Sequence, residues 1–241
     1  GGAQGVAFGG RRRPDAGAWP VNVTEEQKAA LHSVGSLKGR AFSGGPNAET
    51  PKQPILARDF AGGQMARDMT LFVDDDGKAY HLFASEENST LHISLLSDDY
   101  LSHAGQYVRV FEHKWNEAPA ICKRGGRYWL LTSGCTGWAP NAARAAVAPS
   151  IWGPWKELGN PCAGVNPLNG LGPDKTFGGQ STYILSVQGK KDVFIALFDL
   201  WKPKNAVDGR YVWLPLAFTD EGFTLTWRDT WDLGVFEASA P

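Results

Sequence analysis

Long apolar runs are missing from these 241 residues, and none approaches the ~20 residues of a membrane span. Charge of one sign is missing too. The formal net charge is −1, so no basic face argues for nucleic acid. The chain has no G-x-S-x-G, no H-E-x-x-H, no P-loop and no G-x-G-x-x-G, which leaves serine-nucleophile, zinc-protease and nucleotide chemistry without an anchor. Its three cysteines, Cys122, Cys135 and Cys162, include no C-x-x-C pair for zinc. Cys122 lies in an apolar run and reads as a small buried hydrophobe; Cys135 and Cys162 fall in loops and could bridge in an oxidising compartment. There is no initiating Met and no signal-peptide core. The expectation is the downstream part of something longer.

What is present is a repeat. With 42% apolar residues and ten tryptophans, the chain can build a full core, and the aromatic rings suit both sheet packing and sugar faces. Asp68 to Gly77, Glu117 to Gly126 and Gln180 to Gly189 are the same nine-position step, each glycine followed by Lys78, Arg127 or Lys190. In each copy a polar residue opens a β-type run, a glycine turn follows, and a second run rich in β-branched and aromatic residues returns. Third runs are expected at 91–96, 142–148 and 211–218, and fourth, outer ones at 107–111, 152–155 and 223–227. Four strands per unit of roughly 45 to 60 residues predict β-propeller blades, whose innermost strands line a central channel. Asp68, Glu117 and Gln180 would then open three innermost strands and converge on one mouth of the axis. The bland alternative is three ordinary polar residues at strand entries; the shared register and two carboxylates favour a site.

The domain reading is a loop-rich upstream segment over 1–64, three blades over about 65–114, 115–176 and 177–234, and a tail over 235–241. Within the first segment a short helix over 24–31 is expected, with Thr24 as cap, and the Arg11-Arg12-Arg13 triplet reads as a solvated turn. Asp74-Asp75-Asp76-Gly77 is a hairpin turn and not a calcium loop, because Phe72 and Phe83 stand where ligands would be needed. Glu86, with His92 beyond it, could reach a pocket above the blades or could simply keep a strand edge soluble. The loop from Ser133 through Thr136 and Trp138 to Asn141 suits close approach of backbone to a ligand, or packs for its own sake around Trp138. Trp201 and Asp208 lie in the equivalent loop of the last copy.

Arg67-Asp68-Met69-Thr70-Leu71-Phe72 with Asp74-Asp75-Asp76-Gly77-Lys78, Glu117-Ala118-Pro119, Ser133-Gly134-Cys135-Thr136-Gly137-Trp138 and Gly178-Gly179-Gln180-Ser181-Thr182 together resemble glycoside hydrolase family 43, in the branch that includes exo-β-1,3-galactanases. The match covers roughly residues 62 to 233. It implies an all-β, five-bladed propeller, of which about three blades are present here, the first two being absent. It also implies an inverting, exo-acting glycosidase on plant-type galactan or arabinogalactan side chains that releases galactose from β-1,3-galactan. In that resemblance Glu117 stands as general acid, Asp68 as the carboxylate that raises and orients it, and Gln180 as the amide near the attacking water. Arg67, Thr136, Trp138 and Asp208 fall where substrate contacts are expected, and Glu86, Asn141 and Trp201 join them as candidates. Alternatives are a β-galactofuranosidase or α-L-arabinofuranosidase, or a carbohydrate-binding propeller without turnover. No cofactor is called for; a calcium ion on the axis would be compatible, but no residue pattern supports one. The expected partner is an oligo- or polysaccharide, with no nucleic acid and no membrane, in a secreted or periplasmic protein that is monomeric at full length.

Overall fold

The computed structural model describes Arg11, Arg12, Val21, Thr24, Glu25, residues 64–86 and residues 88–237. The chain divides into two compact units, Gly1–Glu117 and Ala118–Pro241. Both are built from mainly antiparallel sheets, so the all-β expectation holds.

In the first unit, β1 (Arg11–Arg12) pairs with β2 (Gln64–Met65). The arginine triplet expected as a solvated turn therefore contributes a strand, because its backbone finds a partner more than fifty residues away. Beyond Thr24 and Glu25, the expected helix falls outside the described residues. The main sheet runs β3 (Met69–Val73), β4 (Ala79–Ser85), β5 (Thr90–Leu96) and β6 (His103–Val110) in simple sequence order. Its first turn closes as expected: Asp74 N donates to Lys78 O and Gly77 N to Asp74 O, with Gly77 at φ +80°. That conformation is strained for any residue with a Cβ. Period-two alternation sorts the strands into an apolar face (Tyr80, Leu82, Ala84, Leu91, Ile93, Val108) and a mixed face (His81, Phe83, Ser85, Thr90, His92, Ser94, Arg109), and both are buried.

Strand β7 (Asn116–Arg124) starts with the last two residues of the first unit and continues in the second, where β8 (Arg127–Gly134), β9 (Arg144–Ala148) and β10 (Lys156–Gly159) complete a four-stranded sheet in the order 10-9-8-7. Residues 152–155, expected as the outer strand, form a turn instead. Gly153 sits at φ +96° and Pro154 has no N–H to give to a ladder, so pairing is deferred to β10. After β11 (Cys162–Ala163), β12 (Gln180–Ser186), β13 (Phe194–Leu200) and β14 (Arg210–Pro215) form the last large sheet. The run expected over 211–218 breaks after Pro215 into β14 and β15 (Ala217–Phe218). The outer run expected over 223–227 forms as β16 (Phe223–Thr226), but it pairs antiparallel with β15 and parallel with β11, partners that nothing local in the sequence announces.

The core of the second unit is one apolar cluster that includes Trp129, Leu131, Phe177, Ile184, Ala196, Phe198, Leu214 and Leu225. Cys162 packs against that cluster and Cys135 is buried at the end of β8, so the expected bridge does not form and all three thiols are free. The stretch expected as a tail opens with structure: Leu233–Phe236 is a 3-10 turn capped by Asp232, and just before it Trp231 Nε1 donates to Trp213 O at 2.8 Å.

Candidate active site

In the first unit the repeat register delivers Arg67 and Asp68 immediately before β3 and Glu117 as the second residue of β7. Arg67 and Asp68 are exposed, and their backbones extend the ladder: Arg67 N donates to Ala84 O at 3.0 Å, and Ala84 N to Asp68 O at 2.9 Å. Glu117 is half-buried, and its Oε2 accepts a hydrogen bond from Asn88 Nδ2 at 3.3 Å. Asn88 was not anticipated. It lies in the turn between β4 and β5, buried, in a left-handed conformation at φ +66°. The residues flanking the acid are strained as well, Trp115 at φ +57° and Ala118 at φ +52°. Non-glycine residues hold such angles only where their surroundings over-determine them.

Glu86 is neither a pocket wall nor an exposed edge acid. Its residue is 1% exposed, and its carboxylate accepts from Arg109 Nε at 2.6 Å, Arg109 Nη2 at 2.8 Å and His92 Nε2 at 2.8 Å. Burial alone would push this carboxyl up, but the bonds from Arg109 and His92 hold it at about 2. Burial pushes His92 below its ordinary value, more than Glu86 can restore. The neutral ring donates from Nε2, and its buried Nδ1 has no hydrogen-bond partner. Arg109 also reaches Glu112 Oε2 at 2.7 Å. A carboxylate this deeply buried is out of a sugar's reach, so Glu86 belongs to the scaffold.

In the second unit, Gln180 opens β12 at the wall of a cleft of about 240 Å³. Its amide is held at both ends: Nε2 donates to Ser133 Oγ at 2.9 Å, and Oε1 accepts from Trp201 Nε1 at 3.2 Å. Trp138 and Trp201 meet edge to face with centroids 5.1 Å apart, and remain 63% and 46% exposed. Exposed indoles on a polar-floored cleft are the surfaces that pack against the C–H face of a pyranose. The cleft thus joins four expected residues, Gln180, Trp138, Asn141 and Trp201, with Ser133 from the same loop and with Lys202, which no sequence motif marks.

Asn141 also lines the cleft, but its side chain is spent on the loop. Oδ1 accepts from Gly134 N at 2.7 Å, while Nδ2 donates to Gly134 O at 2.8 Å and to Thr136 Oγ1 at 2.7 Å. Thr136 is exposed, donates to Ala139 O, and is not among the residues lining the cleft. Asp208 is likewise absent from the lining and pairs with Arg210 at 2.6 Å in a short 3-10 turn.

The segment that delivers Gln180 is built for position. Thr176, Phe177 and Gly178 are left-handed in succession, at φ +46°, +59° and +93°. Phe177 O accepts from both Asn166 Nδ2 at 3.2 Å and Asn169 Nδ2 at 2.9 Å, and Thr176 Oγ1 donates to Asn141 O at 2.6 Å. The buried Phe177 ring anchors the turn in the apolar cluster. Among the described residues no group of three or more His, Cys, Asp or Glu is placed to hold a metal ion.

Among solved structures, a family 43 β-1,3-galactosidase, determined with galactodeoxynojirimycin, is 46% identical over 93% of this chain and 62% of its own, with a TM-score of 0.78. An exo-β-1,3-galactanase from Clostridium thermocellum is 36% identical over 68% of this chain and 34% of its own, with a TM-score of 0.59. A β-D-galactofuranosidase of Aspergillus niger is 28% identical over 148 residues, 57% of this chain and 42% of that protein. The chain therefore spans less than two thirds of these relatives. Glycosyl hydrolases family 43 matches residues 24–171, more than half of the chain. The chain belongs to that family.

Proposed function

We propose that these residues form part of an exo-acting glycosidase that removes galactose from β-1,3-linked galactan with inversion at the anomeric carbon. The observation that carries this reading is the Gln180 cleft, an amide fixed at both ends beneath two exposed tryptophans. In this reading the three hairpin sheets are blades of a propeller of the five-bladed type, and Asp68, Glu117 and Gln180 stand at the starts of their innermost strands.

Glu117 donates a proton to the departing glycosidic oxygen as the bond to the anomeric carbon breaks, and a water attacks from the opposite face of the ring. Asp68 keeps Glu117 protonated until that moment, since a neighbouring negative charge disfavours ionisation. Gln180 orients the water. An amide holds a water without taking its proton, so Gln180 positions and another group accepts. Trp138 and Trp201 stack on the sugar, and exposed Arg67 contacts its hydroxyls. No cofactor enters, and the polysaccharide substrate suits a secreted or periplasmic protein.

The similarity to a β-D-galactofuranosidase supports a second reading in which the same acid acts on a furanoside. One experiment separates the two: this chain and its Glu117→Gln variant are incubated with β-1,3-galactan and with aryl galactofuranosides, and the anomer released is read by NMR. Galactose of inverted configuration from the galactan, lost in the variant, is the expected result. Release from the furanosides alone would install the second reading, and binding without turnover on either would make this a carbohydrate-binding propeller.

A further inference from the structure

The turn between β4 and β5 poses a question that packing does not answer. It spans four residues, closes with Ser89 N donating to Glu86 O at 3.1 Å, and holds Glu86 and Asn88 at φ +50° and +66° without a glycine at either position. Residues with a Cβ hold left-handed angles only where something enforces them. The enforcement is visible. The β5–β6 register sets His92 opposite Arg109, and Glu86 takes hydrogen bonds from both, forming a buried fork that pins the first residue of the turn. The far side is pinned as well: Trp115 N donates to Ser89 O at 3.3 Å and His113 N to Thr90 Oγ1 at 3.5 Å. Arg109 in addition holds Glu112, in the segment that leads to Glu117. One ionic cluster therefore grips both the turn that carries Asn88 and the segment that carries Glu117.

We infer that Glu86 is a positioning residue for Glu117: the buried Glu86–Arg109–His92 cluster fixes the 86–89 turn so that the Asn88 amide is aimed at Oε2 of the acid. The inference rests on the reading of Glu117 as general acid. An N–H donor on Oε2 makes that oxygen the carbonyl of the protonated acid and assigns the transferable proton to Oε1. The hydrogen bond thus decides which oxygen faces the leaving group, and it also favours the ionised form, which resets the acid after turnover. Glu86 touches neither substrate nor the acid; it acts through Asn88.

The test is a double-mutant cycle read at Glu117. In the full chain, with glutamate side chains labelled with carbon-13 and the Glu117 signal assigned by Glu117→Gln, the carboxyl is titrated by NMR. Wild type, Asn88→Ala, Glu86→Gln and the double variant are compared, and kcat on a β-1,3-galactoside is measured beside them. Asn88→Ala is expected to raise the Glu117 midpoint, Glu86→Gln to move it the same way, and the double variant to move it no further than Asn88→Ala alone. In each, kcat is expected to fall roughly tenfold. A folded Glu86→Gln with the Glu117 midpoint unmoved, or a double variant in which the two shifts add, overturns the inference. Should Glu86→Gln fail to fold, Arg109→Lys, which keeps the charge and loses the fork, takes its place under the same criteria. Turnover that survives in Glu117→Gln would instead sink the acid assignment, a separate outcome.

Discussion

The first unit buries a charged cluster that the second unit's apolar core does not have. One face of the first unit's sheet sequesters His81, Ser85, Thr90, His92, Ser94 and Arg109, and Glu86 reaches under it. The cluster at the heart of the second unit is apolar throughout, from Trp129 and Leu131 to Phe177, Phe198 and Leu225. Apolar burial is non-directional and tolerates small adjustments; a buried ion pair is directional and costly to leave half-made. The difference follows the work proposed for each part. The first unit carries the proton donor, whose oxygens must be aimed, and the second carries a stacking platform, which needs a firm floor more than an electrostatic field.

Breaking one member of each interior gives the largest expected effects. Arg109→Ala leaves Glu86 buried without its main partner and is expected to cost about 3–5 kcal/mol. Phe177→Ala opens a cavity at about 3–5 kcal/mol. Chemical denaturation checks both, and the comparison is sharpened by a second substitution: adding Glu86→Leu to Arg109→Ala should recover much of the loss by removing the stranded charge, whereas no polar-to-apolar change can rescue Phe177→Ala.

Acid should separate the units next. The folded-state pKa values of Glu86 and His92 both lie below their ordinary values of 4.5 and 6.5. Stability that such groups confer is complete above the unfolded value and is lost as pH falls through the folded one. His92 therefore begins to cost stability below pH 6.5, and Glu86 withdraws about 3 kcal/mol between pH 4.5 and about 2. Hydrogen exchange followed separately for the amides of β5 and β13 should show β5 losing protection first on acidification. Simultaneous loss would mean that the two interiors do not differ in this respect.

The smallest effect concerns the turn before Gln180. A Cβ at Gly178 would lie 2.7 Å from Asn169 Nδ2 in a backbone at φ +93°, so Gly178→Ala is expected to cost roughly 1–3 kcal/mol. Because the displaced Asn169 amide also lines the cleft, the variant should weaken binding of a galactoside in the proposed reading, which calorimetry would register.

How much of this was legible in the sequence depends on separation along the chain. The three hairpins were, because the nine-position step and glycines such as Gly77 act within a few residues. Gln180, Trp138 and Trp201 were also found as candidates from loop composition and family motifs, and they line one cleft. The outer strand of the second sheet was displaced because aromatic residues at 152 and 155 suggested a strand that Gly153 and Pro154 do not permit. The β11–β16 pairing joins segments sixty residues apart. Glu86 misleads for the same reason: beside Ser85, Asn88 and Ser89 it reads as a pocket or edge acid, and only Arg109, 23 residues later on the second strand over, makes it a buried one. Asn88 escaped notice because its partner Glu117 is 29 residues away.

The central claim is that Glu117 gives its proton to the leaving oxygen, and a pair of substrates tests it most directly. Glu117→Gln is assayed on β-1,3-galactobiose, whose leaving sugar must be protonated, and on dinitrophenyl β-galactoside, whose leaving group departs as an anion. The account predicts a loss of about 10²–10⁴-fold on the disaccharide with the aryl substrate held within about tenfold of wild type. Equal losses on both substrates, or none on either, would contradict it.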